Sequence, residues 1–487
     1  AITIVVETNT PEVVADDLER MGAVVDVVTD RGVQARVRYE DLADAAEIEG
    51  VERVREPFLA RPKAVVTEGA SELGVEPWHQ LGFAGEGIEV AVLDVGFAGH
   101  EELLGSELPE RVRTETAGGV VSSDHGTAVA EIIHDIAPGA KLVLYQFATD
   151  QEFLAAVLDL QVMRVDVVNA SVGFDNVWHA DDTSEYSQAV DRIVTNGTVW
   201  VGAAGNENDK YAIGPLSDED DDGYIEIETA AGPMEGIVVN TNDGALDVSF
   251  RWTDPMTESS NDLDLVAFNE DGSECARAIE PQSGKGASPY EEIVAQCTSA
   301  TVTVYPLTTH SADLSVLDGF VYGVHGVDPA AWSYARNLTL PADAKRAISV
   351  GSCDATLGTA PDYTSRGPTE DGRTKPDVCG PTNATTATYG EAAFQGTSAS
   401  APHVAGLAAL LVEALGKKEP DAVAKWITDN ALDLGEDGAD DTFGAGFVQA
   451  GLPPPDDCGC GLLPLQGAWL FIGIGLWAHR RRSLPGT

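Results

Sequence analysis

"IEVAVLDVGF", residues 88 to 97, places four apolar residues in succession ahead of Asp94, Val95 and Gly96. A strand with no polar face is buried on both sides, the signature of a parallel sheet covered by helices. Working outward, "AKLVLYQF" (140–147), "DVVNASVG" (166–173) and "VWVGAAGN" (199–206) repeat the pattern, with helical segments between them. The predicted class is therefore α/β, a three-layer domain built on a mostly parallel sheet.

The domain has neighbours on both sides. Residues 1–60 read as strand, helix, strand, strand, helix, strand, with Pro11 opening the first helix and Gly50 closing the second. That order is the compact ferredoxin-like unit. An extended stretch leads into the main α/β domain, whose first part spans 61–223. From 224 to 335 short alternating runs such as "LDVSFRW" and "ATVTVYPL" replace helical spacing, which predicts an inserted β-sandwich. The α/β texture resumes over 336–450. A Pro-rich linker (451–460) precedes a hydrophobic tail (461–487), in which Leu462 to Ala478 is an apolar stretch followed by Arg480, Arg481 and Arg482.

Of 487 residues, 80 are acidic and 29 basic, a formal charge of −51. Such a surface repels phosphate backbones, so nucleic acid is not an expected partner. It suits an exported protein, a calcium-rich one or a saline habitat, and composition does not separate these. The six cysteines fall as local pairs: Cys275 with Cys297, Cys353 with Cys379, Cys458 with Cys460. In an oxidising compartment a Cys275–Cys297 bridge would contribute roughly 3 kcal/mol. Buried free thiols are the alternative.

Four stretches each put a reactive or polar residue at a strand end or helix start. They are Asp94 after its strand, His125 in "DHGTAVAE", Asn206 in "VGAAGNEN" and Ser398 in "FQGTSASAPHVAGLAALL" (394–411). In an open parallel sheet such ends converge on one crevice. Acyl transfer needs this set: a serine nucleophile, a histidine to take its proton, a carboxylate to hold the histidine, and an amide for the oxyanion.

Over 70–223 and 336–450 the chain resembles the subtilisin-like serine peptidases (subtilases), in "HGTAVAE", "GTSASAPHVAG" and "DYTSRGPTEDGRTKPDV" (362–378). The resemblance implies a subtilisin-like fold and an Asp-His-Ser triad. Asp94 would be the orienting carboxylate, His125 the general base and acid, Ser398 the nucleophile and Asn206 the oxyanion donor. "NASVGF" resembles the family's substrate-pairing strand, so Ser171, Val172 and Gly173 would border the first specificity pocket; no charged residue in that stretch announces a preference. Val95 departs from the usual hydroxyl residue after the aspartate, and Ala399 from the usual methionine. Ser400 and His403 read as packing residues of the helix.

The first 60 residues resemble subtilase propeptides, which aid folding and inhibit until cleaved, here within Phe58 to Ala70; a permanent N-terminal domain is the alternative. The tail resembles Gram-negative sorting signals of the myxobacterial Cys-Gly-Cys kind. It implies export to the cell envelope or beyond, with membrane contact through the tail before processing. "DEDDDG" (218–223) has Asp218, Asp220, Asp222 and Gly223 as in half a calcium loop, but Thr229 stands where the closing Glu belongs. A structural calcium is one reading and a solvated acidic loop the other; the chemistry itself requires no cofactor. Protein or peptide substrates are the expected partners. The rival from another class is a catalytically silent surface binding protein on the same scaffold. An esterase of the α/β-hydrolase type is excluded, because Ser398 is not in a G-x-S-x-G elbow.

Overall fold

The computed structural model describes residues 2–454 except 30–31, 56–65, 119–120, 283, 309–311, 355–356 and 417–418. Most of the expected cleavage segment, part of the linker, the Cys458–Cys460 pair and the whole tail lie outside the described residues.

The N-terminal unit runs β1 (Ile2–Thr8), α1 (Pro11–Arg20), β2 (Val24–Thr29), β3 (Gly32–Val37), α2 (Leu42–Ala46) and β4 (Val51–Arg55). Its antiparallel sheet has the order β2-β3-β1-β4, the split β-α-β arrangement expected from the sequence. Val14 and Leu18 of α1 bury against Ile4, Val6, Val33 and Val37, which gives the unit its own core.

The main domain opens with α3 (Glu68–Leu73), α4 (Glu76–Gln80) and β5 (Glu89–Asp94). It continues through α5 (His100–Leu103), β6 (Arg113–Thr116), α6 (His125–Ile136), β7 (Lys141–Gln146), α7 (Asp150–Met163), β8 (Val167–Ala170), α8 (Glu185–Thr195) and β9 (Val199–Ala203). There the chain leaves the sheet.

Ten strands follow: β10 (Tyr211–Ser217), β11 (Glu226–Thr229), β12 (Gly232–Met234), β13 (Ile237–Asn240), β14 (Ala245–Trp252), β15 (Leu263–Asn269), β16 (Glu274–Ala278), β17 (Tyr290–Gln296), β18 (Thr301–Thr308) and β19 (Asp318–Gly323). They form a six-stranded sheet, β12-β11-β10-β19-β14-β17, and a four-stranded one, β13-β18-β15-β16. Phe250, Trp252, Leu263, Leu265 and Val304 fill the space between them. β10 pairs with β19 over Tyr211 to Pro215. The sandwich thus takes in residues before 224; β10's apolar start reads like another core strand until its antiparallel partner is known. Cys275 and Cys297 are bridged in this module, and Cys353 and Cys379 in the main domain.

The chain returns as β20 (Ile348–Ser352), β21 (Val378–Gly380), the small pair β22 (Ala384–Thr386) and β23 (Gly390–Phe394), α9 (Thr397–Ala414) and α10 (Pro420–Asp429). The completed seven-stranded sheet has the order β21-β20-β9-β8-β5-β7-β6, and each pair is parallel. Strand periodicity divides β5 between two cores. Val90 and Val92 pack with α6 and α9 on one face, and Ala91 and Leu93 with α7 and α8 on the other. α9 is buried on all sides from Thr397 to Val412, and past its first turns it has no polar face.

Charge and hydrogen bonds fasten the sandwich to the main domain. Arg251 of β14 grips Glu370 at 2.7 and 3.2 Å, and Asn176 donates to Ser249 Oγ at 2.9 Å. The loop carrying Glu370 lies in the family-like stretch 362–378.

Candidate active site

Asp94 closes β5 with no exposure, where the apolar run ends. His125 is the first residue of α6. Gly126 lets that helix end meet the strand end: a Cβ there would lie 2.8 Å from Asp94 Cβ and 2.7 Å from the Gly96 carbonyl. The result is close pairing, with His125 Nδ1 at 2.9 Å from Asp94 Oδ2 and 3.0 Å from Oδ1. Val95 N–H donates to Asp94 Oδ1 at 2.8 Å. A backbone amide therefore helps hold the carboxylate at the position where the family pattern would offer a side-chain hydroxyl. The His125 ring meets Phe394 edge-on at 5.4 Å. Burial opposes its protonation, but the Asp94 hydrogen bond and charge, with Asp124 behind them, raise its pKa above the ordinary imidazole value.

Ser398 is the second residue of α9, so its N–H has no partner within the helix. Pro402 lacks the N–H that would bond the Ser398 carbonyl. Ser171, just after β8, donates its hydroxyl to that carbonyl at 3.2 Å. In return the Ser398 hydroxyl donates to the Ser171 carbonyl at 2.9 Å. This reciprocal pair ties the helix start to the strand end.

Asn206 follows β9 through Gly205, whose φ of +116° favours glycine. Its Oδ1 accepts from Thr397 N at 2.8 Å and Thr397 Oγ1 at 3.2 Å. With the oxygen so occupied, Nδ2 is the amide atom left to donate elsewhere. A cavity of about 270 Å³ joins these groups; Val95, Ser171, Val172, Gly173, Asn206, Thr397 and Ser398 all line it. Ser171, Val172, Gly173, Asn206 and Ser398 thus share one crevice at the carboxyl ends of β8 and β9 and the start of α9, and Val95, next to the Asp94–His125 pair at the end of β5, is also on its wall.

The cavity also holds Asp175, Glu207 and Thr339, which the sequence reading did not single out. Glu207 directly follows Asn206, and Asp175 stands two residues past Gly173; adjacency to those motifs was the available signal. Two other residues have the structural roles expected of them. Buried His403 bridges Thr67 Oγ1 at 3.0 Å and the Ala399 carbonyl at 2.7 Å, and burial pushes its pKa down to about 4. Ser400 contacts Ser352 Oγ and donates to the Gly380 carbonyl.

Asp218, Asp220 and Asp222 each bring one carboxylate oxygen within 4.8 Å of the others, a group that could hold a metal ion such as calcium. Asp218 already accepts the N–H groups of Asp222 and Gly223 at 3.2 Å. No helix among the described residues is long and apolar enough to cross a membrane.

Among solved structures, the chain is similar to the CspB protease of Clostridium perfringens. That match has a TM-score of 0.56 at 16% identity, covering 79% of this chain and 96% of the other. At that identity the likeness shows a shared fold. A lanthipeptide protease aligns at TM-score 0.42 and 17% identity over 78% of this chain and 92% of its own. The model of the subtilase family matches residues 85–285 and 333–446, well over half the chain. These segments contain Asp94, His125, Asn206 and Ser398, and the chain belongs to the subtilase family of proteases.

Proposed function

We propose that the protein is an exported serine endopeptidase that cleaves peptide bonds through an acyl-enzyme on Ser398. The observation that carries this reading is the His125 ring held at Nδ1 by both oxygens of fully buried Asp94. Beside that pair, one cavity is shared by Val95, Asn206 and Ser398. Asp94 fixes the tautomer that leaves Nε2 as the base. In this reading the Ser398 hydroxyl turns from the Ser171 carbonyl to that nitrogen as the reaction begins. As the hydroxyl oxygen bonds to the substrate carbonyl carbon, His125 takes its proton, then returns it to the leaving amine. Asn206 Nδ2 and the Ser398 N–H receive the developing oxyanion. Water, deprotonated by the same histidine, releases the acid product. Substrate backbone pairs along Ser171 to Gly173. None of these steps calls for a metal ion or other cofactor.

The two disulfides support a destination outside the reducing cytoplasm. The tail motif adds a Gram-negative envelope or the extracellular space. The N-terminal unit, with a core of its own, serves as the folding aid and inhibitor of a zymogen until it is cut away.

The test is labelling with a fluorophosphonate probe, on the full chain and on protein that has shed its first 60 residues. A Ser398→Ala variant runs alongside, and the labelled peptide is mapped by mass spectrometry. Label on Ser398 in the shortened form, absent from the variant, is the expected result. A folded, shortened protein that takes no label would overturn the peptidase reading in favour of the silent binding protein.

A further inference from the structure

The cavity beside Ser398 has two carboxylates in its wall, Asp175 and Glu207. Glu207 is paired with Lys210, Nζ to Oε2 at 2.9 Å. Asp175 instead accepts from hydroxyls, Thr339 Oγ1 at 2.6 Å and the Tyr322 phenol at 3.3 Å. Tyr322 also reaches Glu207 at 2.9 Å. One phenolic proton therefore stands between two carboxylates. Two acids against one lysine leave this wall one negative charge in excess when both are ionised. Tyr322 belongs to β19, so the inserted sandwich holds both carboxylates of the pocket wall from behind.

We propose that this cavity selects a lysine or arginine side chain on the residue before the cleaved bond. Asp175 is its charge partner, and the sandwich positions that carboxylate through Tyr322. The inference rests on the peptidase reading above. A volume of about 270 Å³ admits a long side chain, and a cation at its end supplies the positive charge the pocket lacks. A guanidinium pairs with a carboxylate through two parallel hydrogen bonds. An apolar side chain leaves the acid desolvated without a counter-charge of its own, and an acidic one adds repulsion. The sandwich then acts on substrate choice through the hold of Tyr322 on Asp175 and Glu207.

The charged and titratable groups facing Asp175 are Glu207 and Lys210 from the segment after β9, and Tyr211 and Tyr322 from β10 and β19. Burial, then the charge of Glu207, pushes the Asp175 pKa up to about 7, against the pull of Thr339, Lys210 and Tyr322. A cation in the pocket favours the ionised form. Selectivity for a basic side chain should therefore grow as pH rises through about 7.

The experiment measures kcat/KM of the mature enzyme on peptides identical except for Arg, Lys, Leu or Glu before the scissile bond. Taking the Arg-to-Leu ratio removes the titration of His125, which acts on both substrates alike. The expected ratio is roughly tenfold or more at pH 8, narrowing below pH 7. Asp175→Asn should lower it about tenfold and flatten its pH dependence. Should Asp175→Asn fail to fold, the wild-type ratio and its slope with pH decide. Equal rates on Arg and Leu peptides, with Ser398 labelled, overturn the pocket assignment while leaving the peptidase reading intact. A variant that keeps the ratio removes Asp175 as the partner. Absence of both label and cleavage overturns the underlying peptidase reading, and the pocket inference with it.

Discussion

Glu370→Gln should loosen the joint between sandwich and protease domain, and its cost follows from the structure. Glu370 is 8% exposed and meets Arg251, itself 3% exposed, through two hydrogen bonds. His179 Nδ1 lies 3.2 Å from the same carboxylate, and its Nε2 is 2.8 Å from the Asp254 carbonyl. Burial alone would raise the Glu370 pKa; the Arg251 charge and the His179 contact reverse this and hold it at about 2 instead of 4.5. At ~1.36 kcal/mol per unit, that depression corresponds to roughly 3 kcal/mol of stability at neutral pH. A depressed carboxylate contributes fully above its unfolded pKa of 4.5 and loses the contribution as pH falls through about 2. Urea denaturation in a Ser398→Ala background, which avoids self-digestion, should therefore show the variant about 3 kcal/mol less stable at pH 7. At pH 3 the difference should shrink to about half or less. Arg251→Met strands the carboxylate and should cost at least as much, about 3–5 kcal/mol. The double variant should cost less than the two singles together. A difference under about 0.5 kcal/mol at pH 7, the scale of an ordinary surface change, would refute this account of the joint. So would an equal loss at both pH values.

Other outcomes follow from the site itself. Asn206→Ala should lower kcat by about 10²–10³-fold with little change in KM, the range measured for losing one oxyanion donor in this enzyme family. The proposed mechanism needs neutral His125, and Asp94 raises its pKa. Activity should therefore fall with decreasing pH at a point above the ordinary imidazole value, and the acid limb of a kcat/KM profile for Leu peptides measures it. Replacing Cys275 and Cys297 together by serine should cost the sandwich roughly 3 kcal/mol, read as a lower urea midpoint. Chelation with EDTA should leave fluorophosphonate labelling of Ser398 in place, because no step of the proposed chemistry runs through a metal.

Sequence alone determined the features that depend on local pattern. Consecutive apolar residues with no polar face specify buried strands, so the α/β class and the sheet's core strands were legible. The order of strands and helices in the first 55 residues was enough for the N-terminal unit, and the loss of helical spacing near 224 revealed the inserted sandwich. Asp94, His125, Asn206 and Ser398 could be proposed as a site because strand ends and helix starts in a parallel sheet meet at one edge, and each sits in a motif of neighbouring residues. Cysteine proximity in the chain marked the candidate pairs, with free thiols left as the alternative, and the structure bridges two of them. What only the tertiary structure decided is what distant segments do together. β10 joins the sandwich through pairing with β19, more than a hundred residues on, and its own sequence carries no mark of that partner. Val95 looked like a loss until its backbone N–H, which every residue but proline has, was found on Asp94. The electrostatics of the pocket belongs to the same class. Asp175, Glu207, Tyr322 and Thr339 are scattered over 165 positions, and their charge balance exists only once burial has removed the water that would screen them.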